Sequence, residues 1–249
     1  MTGLEQFDDQ LLEAFMDGFY GYGNYAGDYW FIGMEEGGGN SFTAIAQRLS
    51  DWDDRGRNEL EDIAAYHAAI GAAHFFGDHP KLQPTWKKLI RVLLTAEGHT
   101  VEVEDLRTYQ QHQLGRHTSN NCLLELMPLP SPSTEHFVYA QHSRLPDLAS
   151  RTAYMKRYAP QCAAHIKQRI AQHRPKAVVF YSSGRAYVQW WNQIAGVPFV
   201  PAATGAFSIG SSAQTMFVIM RHPTGFGTGS VYCHAVGSAI AAHVAAHRS

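Results

Sequence analysis

Two adjacent carboxylates, Glu35 and Glu36, follow a run of large apolar residues and precede three glycines, in the stretch YWFIGMEEGGGN from Tyr29 to Asn40. A buried strand ending in such a turn delivers acids to the edge of a sheet, and the glycines let a ligand approach the backbone closely. In open α/β sheets that edge is where ligands bind. Taken alone, the stretch could serve a phosphate, a sugar or a metal ion, or be a strand followed by a surface loop. Two more segments carry ionisable groups in the same setting. Glu125 lies in NCLLELM, Asn121 to Met127, which ends in PLPSPST. His222 lies in RHPTGFGTG, directly after the apolar segment Thr215 to Met220.

The remaining pattern supplies elements to hold these segments. Helical apolar spacing runs from Leu4 to Tyr20, broken by GYGNYAGD, and a first strand is predicted over Tyr29 to Met34. A charged polar segment from Ser50 to Asn58 leads to a helix near Glu59 to His74, and Pro84 opens another to Ala96. Val101 to Leu114 reads as helical, and Leu148 to His173 as a long helix interrupted near Pro160. Ala177 to Tyr181 has the continuous apolar character of a buried parallel strand. A helix at Arg185 to Ile194, short strands near Val197 to Val200 and Phe207 to Gly210, a strand at Thr215 to Met220 and a helix from His234 to His247 complete the chain. Alternating strands and helices predict a three-layer α/β/α sandwich with a mostly parallel central sheet, formed as one domain over residues 1–249. Three strand ends then fall on one edge: Gly33 to Gly39, Glu125 to Ser133, and Arg221 to Gly229.

Composition narrows the function classes. No apolar run approaches the roughly 18 residues of a membrane span, and the N-terminus carries acids where a secretory leader is basic. A cytoplasmic protein with no membrane partner, acting as a monomer, is expected. Cys122, Cys162 and Cys233 are scattered and predict buried thiols. His67, His74, Asp78 and His79 could suggest a metal, but packing and surface roles are the expected ones, and no metal or cofactor is predicted. Charge is partitioned along the chain: residues 1–147 hold all 22 acids and 10 of the 20 basic residues, a net of −12, whereas residues 148–249 carry +10. Such a partition suggests a face built to meet a polyanion.

With GMEEG at Gly33 to Gly37, ELMPL at Glu125 to Leu129 and HPTG at His222 to Gly225, the chain resembles the uracil-DNA glycosylase superfamily. The likeness is greatest to its single-strand-selective branch, whose motifs read G-M-N-P-G, an Asn before C-P-L, and H-P-S. The resemblance implies a monofunctional N-glycosylase that flips a base out of DNA and excises it, leaving an abasic site. It puts Glu35 in the place of the catalytic Asn or Asp, orienting water and stabilising the sugar cation, and leaves the choice between Glu35 and Glu36 open. It puts His222 on the leaving base as a hydrogen-bond donor. Met34 and Phe42 become base contacts, with Phe42 a stacking partner. Phe226, a bulky residue between glycines, becomes a wedge for the gap left by the flipped base. Arg221, Thr224, Ser131 and Arg185 become DNA contacts. The superfamily's iron-sulfur branches need four cysteines, so no cluster is expected. No lysine is expected near the site motifs, which argues against a lyase step.

Two departures bear on the target base. Glu125 stands where the family has the Asn that reads uracil; an ionised carboxylate only accepts, whereas cytosine offers an N4 donor, and a protonated Glu could add a bond to N3. Gly37 stands where strict uracil enzymes place an aromatic against C5, leaving room for a 5-substituent. Together they favour a 5-modified cytosine, such as the hydroxymethyl or glucosylated forms of phage DNA, and an antiviral role by analogy. Uracil or 5-hydroxymethyluracil repair, a non-catalytic nucleic-acid-binding module, and a metal-dependent hydrolase using the central histidines are the alternatives.

Overall fold

Apolar runs bounded by turn residues build most of the strands, and capped amphipathic segments build the helices. The computed structural model describes residues 5–133 and 135–247, so the predicted helix start at Leu4 and Thr134 of the proline-rich run lie outside the described residues. In chain order the elements are α1 (Asp9–Gly18), β1 (Gly21–Gly23), β2 (Tyr29–Glu35), α2 (Phe42–Asp54), β3 (Leu60–Glu61), α3 (Ile63–Ala69), α4 (Trp86–Ala96) and α5 (Val103–His112). They continue with β4 (Asn121–Met127), α6 (Tyr139–His142), α7 (Arg151–His173), β5 (Ala177–Phe180), α8 (Arg185–Ala195), β6 (Val200–Pro201), β7 (Ser208–Ser211), β8 (Met216–Ile219) and α9 (Ser230–Ala246).

The strands form one sheet in the order β3-β1-β4-β2-β5-β8-β7-β6. Its central four, β4-β2-β5-β8, are parallel, while β1 on β4 and the β6-β7-β8 edge are antiparallel. The fold is therefore α/β with a mostly parallel sheet flanked by helices. No helix of the described residues is long and apolar enough to cross a membrane. All three cysteines are buried and free.

Strand pleat sorts the side chains. Ile32 pairs with Phe180 in register, and the Phe180 ring stacks on Trp191 of α8 at 4.9 Å, so that face meets α8. The opposite face carries Phe31, Leu123 and Gly33, with Gly33 in register with Glu125. Beyond it, α4 packs on α5 and α9.

Three local expectations are corrected. Residues 50–54 of the charged segment lie in α2, whose buried face Ile45, Leu49 and Trp52 has helical spacing and whose Ser41 side chain caps Ala44 N. The predicted break after Tyr20 contains β1, hydrogen-bonded along β4. Pro160 does not interrupt α7. It sits on the exposed side of that helix, where water can satisfy the carbonyl it leaves unbonded.

Candidate active site

Parallel strands ending together bring Glu35, Glu36, Glu125 and His222 to one cavity of about 450 Å³ at the C-terminal edge of the sheet. Met34, Gly37 and Ser131 line it with them, joined by His67, Phe75, Trp86 and Tyr181. The two neighbouring acids have different surroundings. Glu36 Oε2 accepts hydrogen bonds from Tyr22 Oη at 2.8 Å and from the buried Arg48 at 2.6 Å, while Oε1 lies 3.7 Å from His67 Nε2. Burial would raise this carboxyl, but Arg48, His67 and the two hydrogen bonds together hold it below its ordinary value.

Among the described residues Glu35 takes a single charged partner, Arg151 Nη1 at 2.7 Å from Oε2. Burial pushes it above its ordinary value, against the pull of Arg151. Glu35 is thus the stronger base of the pair and Glu36 the fixed anion. Arg151, the first residue of α7, also donates to Ser131 Oγ and to the carbonyls of Ser133 and His136, tying the proline-rich loop to Glu35.

Glu125 is held differently again. Tyr181 Oη donates to its Oε1 at 2.5 Å, whereas Oε2 is buried with no hydrogen-bond partner. Burial raises this carboxyl well above the ordinary range and the charges of Glu36 and Glu35 raise it further, with Tyr181 opposing. Burial thus favours the protonated form of Glu125, in which it can donate as well as accept. With Tyr181 donating to Oε1, a proton on Glu125 would sit on the buried Oε2. Gly33 makes this pair possible, because a methyl group at residue 33 would overlap both Glu125 Oε2 and Tyr181 Oη. At Gly37, by contrast, an added Cβ meets nothing within 4 Å, so that wall of the cavity is open.

His222 is fixed through its Nδ1, which accepts from Thr224 N at 3.3 Å and lies 2.9 Å from Thr224 Oγ1. An accepting Nδ1 leaves Nε2 as the N–H donor. Burial and the nearby Lys88 hold the imidazole below its ordinary pKa, so it is neutral. Lys88 of α4 also braces the loop, donating to Pro223 O at 2.5 Å and Thr228 Oγ1 at 3.1 Å. A lysine therefore does reach the third motif, contrary to the sequence reading, with its ammonium engaged by the loop itself.

Other expected contacts have other roles. Phe42 begins α2 and stacks on Phe7 at 4.7 Å, away from the cavity, where Trp86 and Phe75 supply the aromatic wall instead. Ser131 is buried, and its hydroxyl is spent on the carbonyls of Ser133 and His136. Thr224 holds His222, Phe226 is fully exposed, and Arg185 is exposed at the start of α8. Arg221 emerges on the opposite face from His222 and lines a second cavity. Among the described residues no group of three or more His, Cys, Asp or Glu could hold a metal ion, and His67 instead engages Ile63 O through Nδ1.

Tyr181, His67 and Trp86 were missed as site residues. Tyr181 was within reach, as the last residue of an apolar strand ending at the same edge. His67 and Trp86 sit on helices and carry no comparable signal. No protein-family model matches the chain, and no curated protein matches it.

Proposed function

We propose that this protein is a monofunctional DNA N-glycosylase of uracil-DNA glycosylase-like three-layer architecture, acting on a pyrimidine that carries a 5-substituent. The observation that carries the reading is the convergence of Glu35, Glu125 and His222, drawn from three separate motifs, on one cavity at the sheet edge. A flipped base would enter with its Watson–Crick edge on Glu125 and its C5 side towards Gly37. The Glu35 carboxylate orients the water and takes its proton as the oxygen attacks C1′, and its charge stabilises the cationic sugar. The C–N bond breaks with its electron pair passing to the base, and the His222 Nε2–H donates to the oxygen where that charge gathers. Trp86 and Phe75 offer rings for the base to pack against.

A protonated Glu125 changes the argument about the base. It offers one donor and one acceptor, which pair with N3 and N4–H of cytosine or with O4 and N3–H of uracil. The open wall at Gly37 is then the feature that speaks for a 5-substituted target, with 5-modified cytosine, as in phage DNA, and 5-hydroxymethyluracil both fitting. An antiviral role belongs to the cytosine branch of this reading.

The test is incubation of the purified protein with DNA containing uracil, 5-hydroxymethyluracil, cytosine, 5-hydroxymethylcytosine or its glucosylated form, followed by detection of abasic sites. Excision of a 5-substituted base, above that of its unsubstituted parent, is expected. The ion pair of Arg151 with Glu35 favours one second reading, a binding module whose acid is held silent. Binding to the same DNAs with no abasic product from any of them would establish that alternative.

A further inference from the structure

A second cavity, of about 820 Å³, opens at the same sheet edge on the opposite face. It lies between α8 and the β6–β7 hairpin and is lined by Val188, Asn192, Phe199, Phe207, Ile219 and Arg221 among others. The pleat explains its place. Val218 lies on the face of Phe31 and Leu123, so the chain running on from β8 sends His222 to that side and Ile219 and Arg221 to the other. Consecutive residues thus look into the two cavities.

No acid lines the second cavity, whereas three carboxylates line the first. The Arg221 guanidinium forms no ion pair with any described residue. It lies 5.9 Å from the Tyr232 ring and close beneath Gly227, and Tyr232 Oη accepts from its backbone N–H at 2.9 Å. Phe199 and Phe207 bring aromatic surface, and Asn192 and Ser208 bring hydrogen-bonding groups.

A nucleotide entering the first cavity brings phosphates, and Arg151 and Arg48 beside that cavity are already paired with Glu35 and Glu36, so the linking phosphate calls for a cation with no acid of its own. Arg221 is that cation, and behind it lies a cavity of mixed apolar and polar lining. We propose that this cavity receives the nucleotide next to the excised one, with the linking phosphate on Arg221 and the neighbouring base among Val188, Phe199 and Phe207. The inference rests on the nucleic-acid reading above but not on catalysis. It makes the protein a reader of two consecutive nucleotides, one on each face of the sheet.

The test measures binding of the full chain to short single-stranded oligonucleotides whose target nucleotide bears 2′-fluorine, which resists excision. The neighbour on the 5′ or the 3′ side is either a normal nucleotide or an abasic tetrahydrofuran. On one of the two sides the normal nucleotide should bind about tenfold more tightly. Asn192→Trp, which fills the cavity from an exposed helix position, should erase that difference while leaving binding to the abasic probe unchanged. Arg221→Ala should weaken every probe and lower the slope of log affinity against log salt by about one. Equal affinity for normal and abasic neighbours on both sides overturns the inference, as does a preference that survives both variants. Failure of excision alone leaves these binding outcomes readable, and absence of any oligonucleotide binding overturns both readings together.

Discussion

The two cavities share the C-terminal ends of β5 and β8 but divide the charge between them. On one face three carboxylates are held in three ways: Glu36 is held below its ordinary pKa by Arg48 and His67, whereas burial raises Glu35 and, further, Glu125. On the other, a single arginine without an ion-pair partner among the described residues faces apolar surface and no acid at all. The division follows the chain itself. The acid cavity takes its carboxylates and His67 from residues before 148 and Tyr181 and His222 from after, whereas every residue lining the second cavity comes from the stretch that has no acid. Segregating charge across the thickness of one sheet lets a carboxylate cluster and a phosphate-binding group lie close together without neutralising each other. Changes on one side should therefore leave the other intact, and each prediction below puts that independence at risk.

The largest effect is expected at Glu35. Glu35→Gln removes the base and the charge facing the sugar, and should lower the excision rate by about 10²–10⁴-fold. Affinity for a 2′-fluoro oligonucleotide should stay within a few-fold of the parent, because the strand is held from the other face. Single-turnover excision and fluorescence anisotropy on the same preparation separate the two. Equal loss in both would mean that the faces are not independent.

Gly33→Ala comes next. The added methyl group has no room between Glu125 and Tyr181. Overpacking of this kind costs about 1–3 kcal/mol of stability, readable in a denaturant midpoint. Excision should fall with it, because the Glu125–Tyr181 pair is displaced. A variant of unchanged stability would show that the close approach across β2, β4 and β5 is not needed.

How much of this arrangement is legible in the sequence depends on what fixes each part. Asn121–Met127 forms β4 over its predicted span because a continuous apolar run ending at Pro128 leaves little choice of element or boundary. Glu35, Glu125 and His222 were found because they follow such runs, and parallel strands align their ends. The α2 helix was hidden by DWDDR, although Ile45, Leu49 and Trp52 already marked a helical stripe. Phe42 was misplaced because proximity in sequence to the first motif says nothing about which way a helix start faces. The raised pKa of Glu125 could not be read from a single chain position, since it arises from burial and from two other acids gathered by the fold. The division between the cavities was half visible: the charge partition is plain in the sequence, but only the pleat at residues 221 and 222 assigns it to two faces.

Glu125 supplies a pH test of the acid side. Its folded-state value stands above the ordinary 4.5. Above that pH the unfolded chain gives up a proton that the folded chain keeps, so stability falls with rising pH towards the folded value. Glu36 works in the opposite sense, and what it contributes is lost as pH falls through its lowered value. Glu125→Gln removes only the first dependence. The variant should match the parent near pH 4 and gain on it by at most about 1.4 kcal/mol per pH unit above. Paired denaturant titrations across that range measure the difference, and parallel curves would mean that Glu125 is ionised in the folded protein. Affinity for an oligonucleotide probe with an abasic target position should not change.

The smallest effect on the fold, and the most selective one on function, is expected at Gly37. An added Cβ meets nothing there, so Gly37→Phe should leave stability within about 0.5 kcal/mol of the parent. The ring would instead occupy the open wall of the acid cavity, where the proposed 5-substituent lies. Excision of a 5-substituted base should fall by about tenfold or more relative to its unsubstituted parent base, since a filled pocket rejects added bulk at that scale. The preference for a normal nucleotide over an abasic neighbour should persist, because that choice is made across the sheet. Equal loss on substituted and unsubstituted bases would mean that the base does not turn its C5 side towards Gly37. Loss of the neighbour preference would mean that the two cavities act as one.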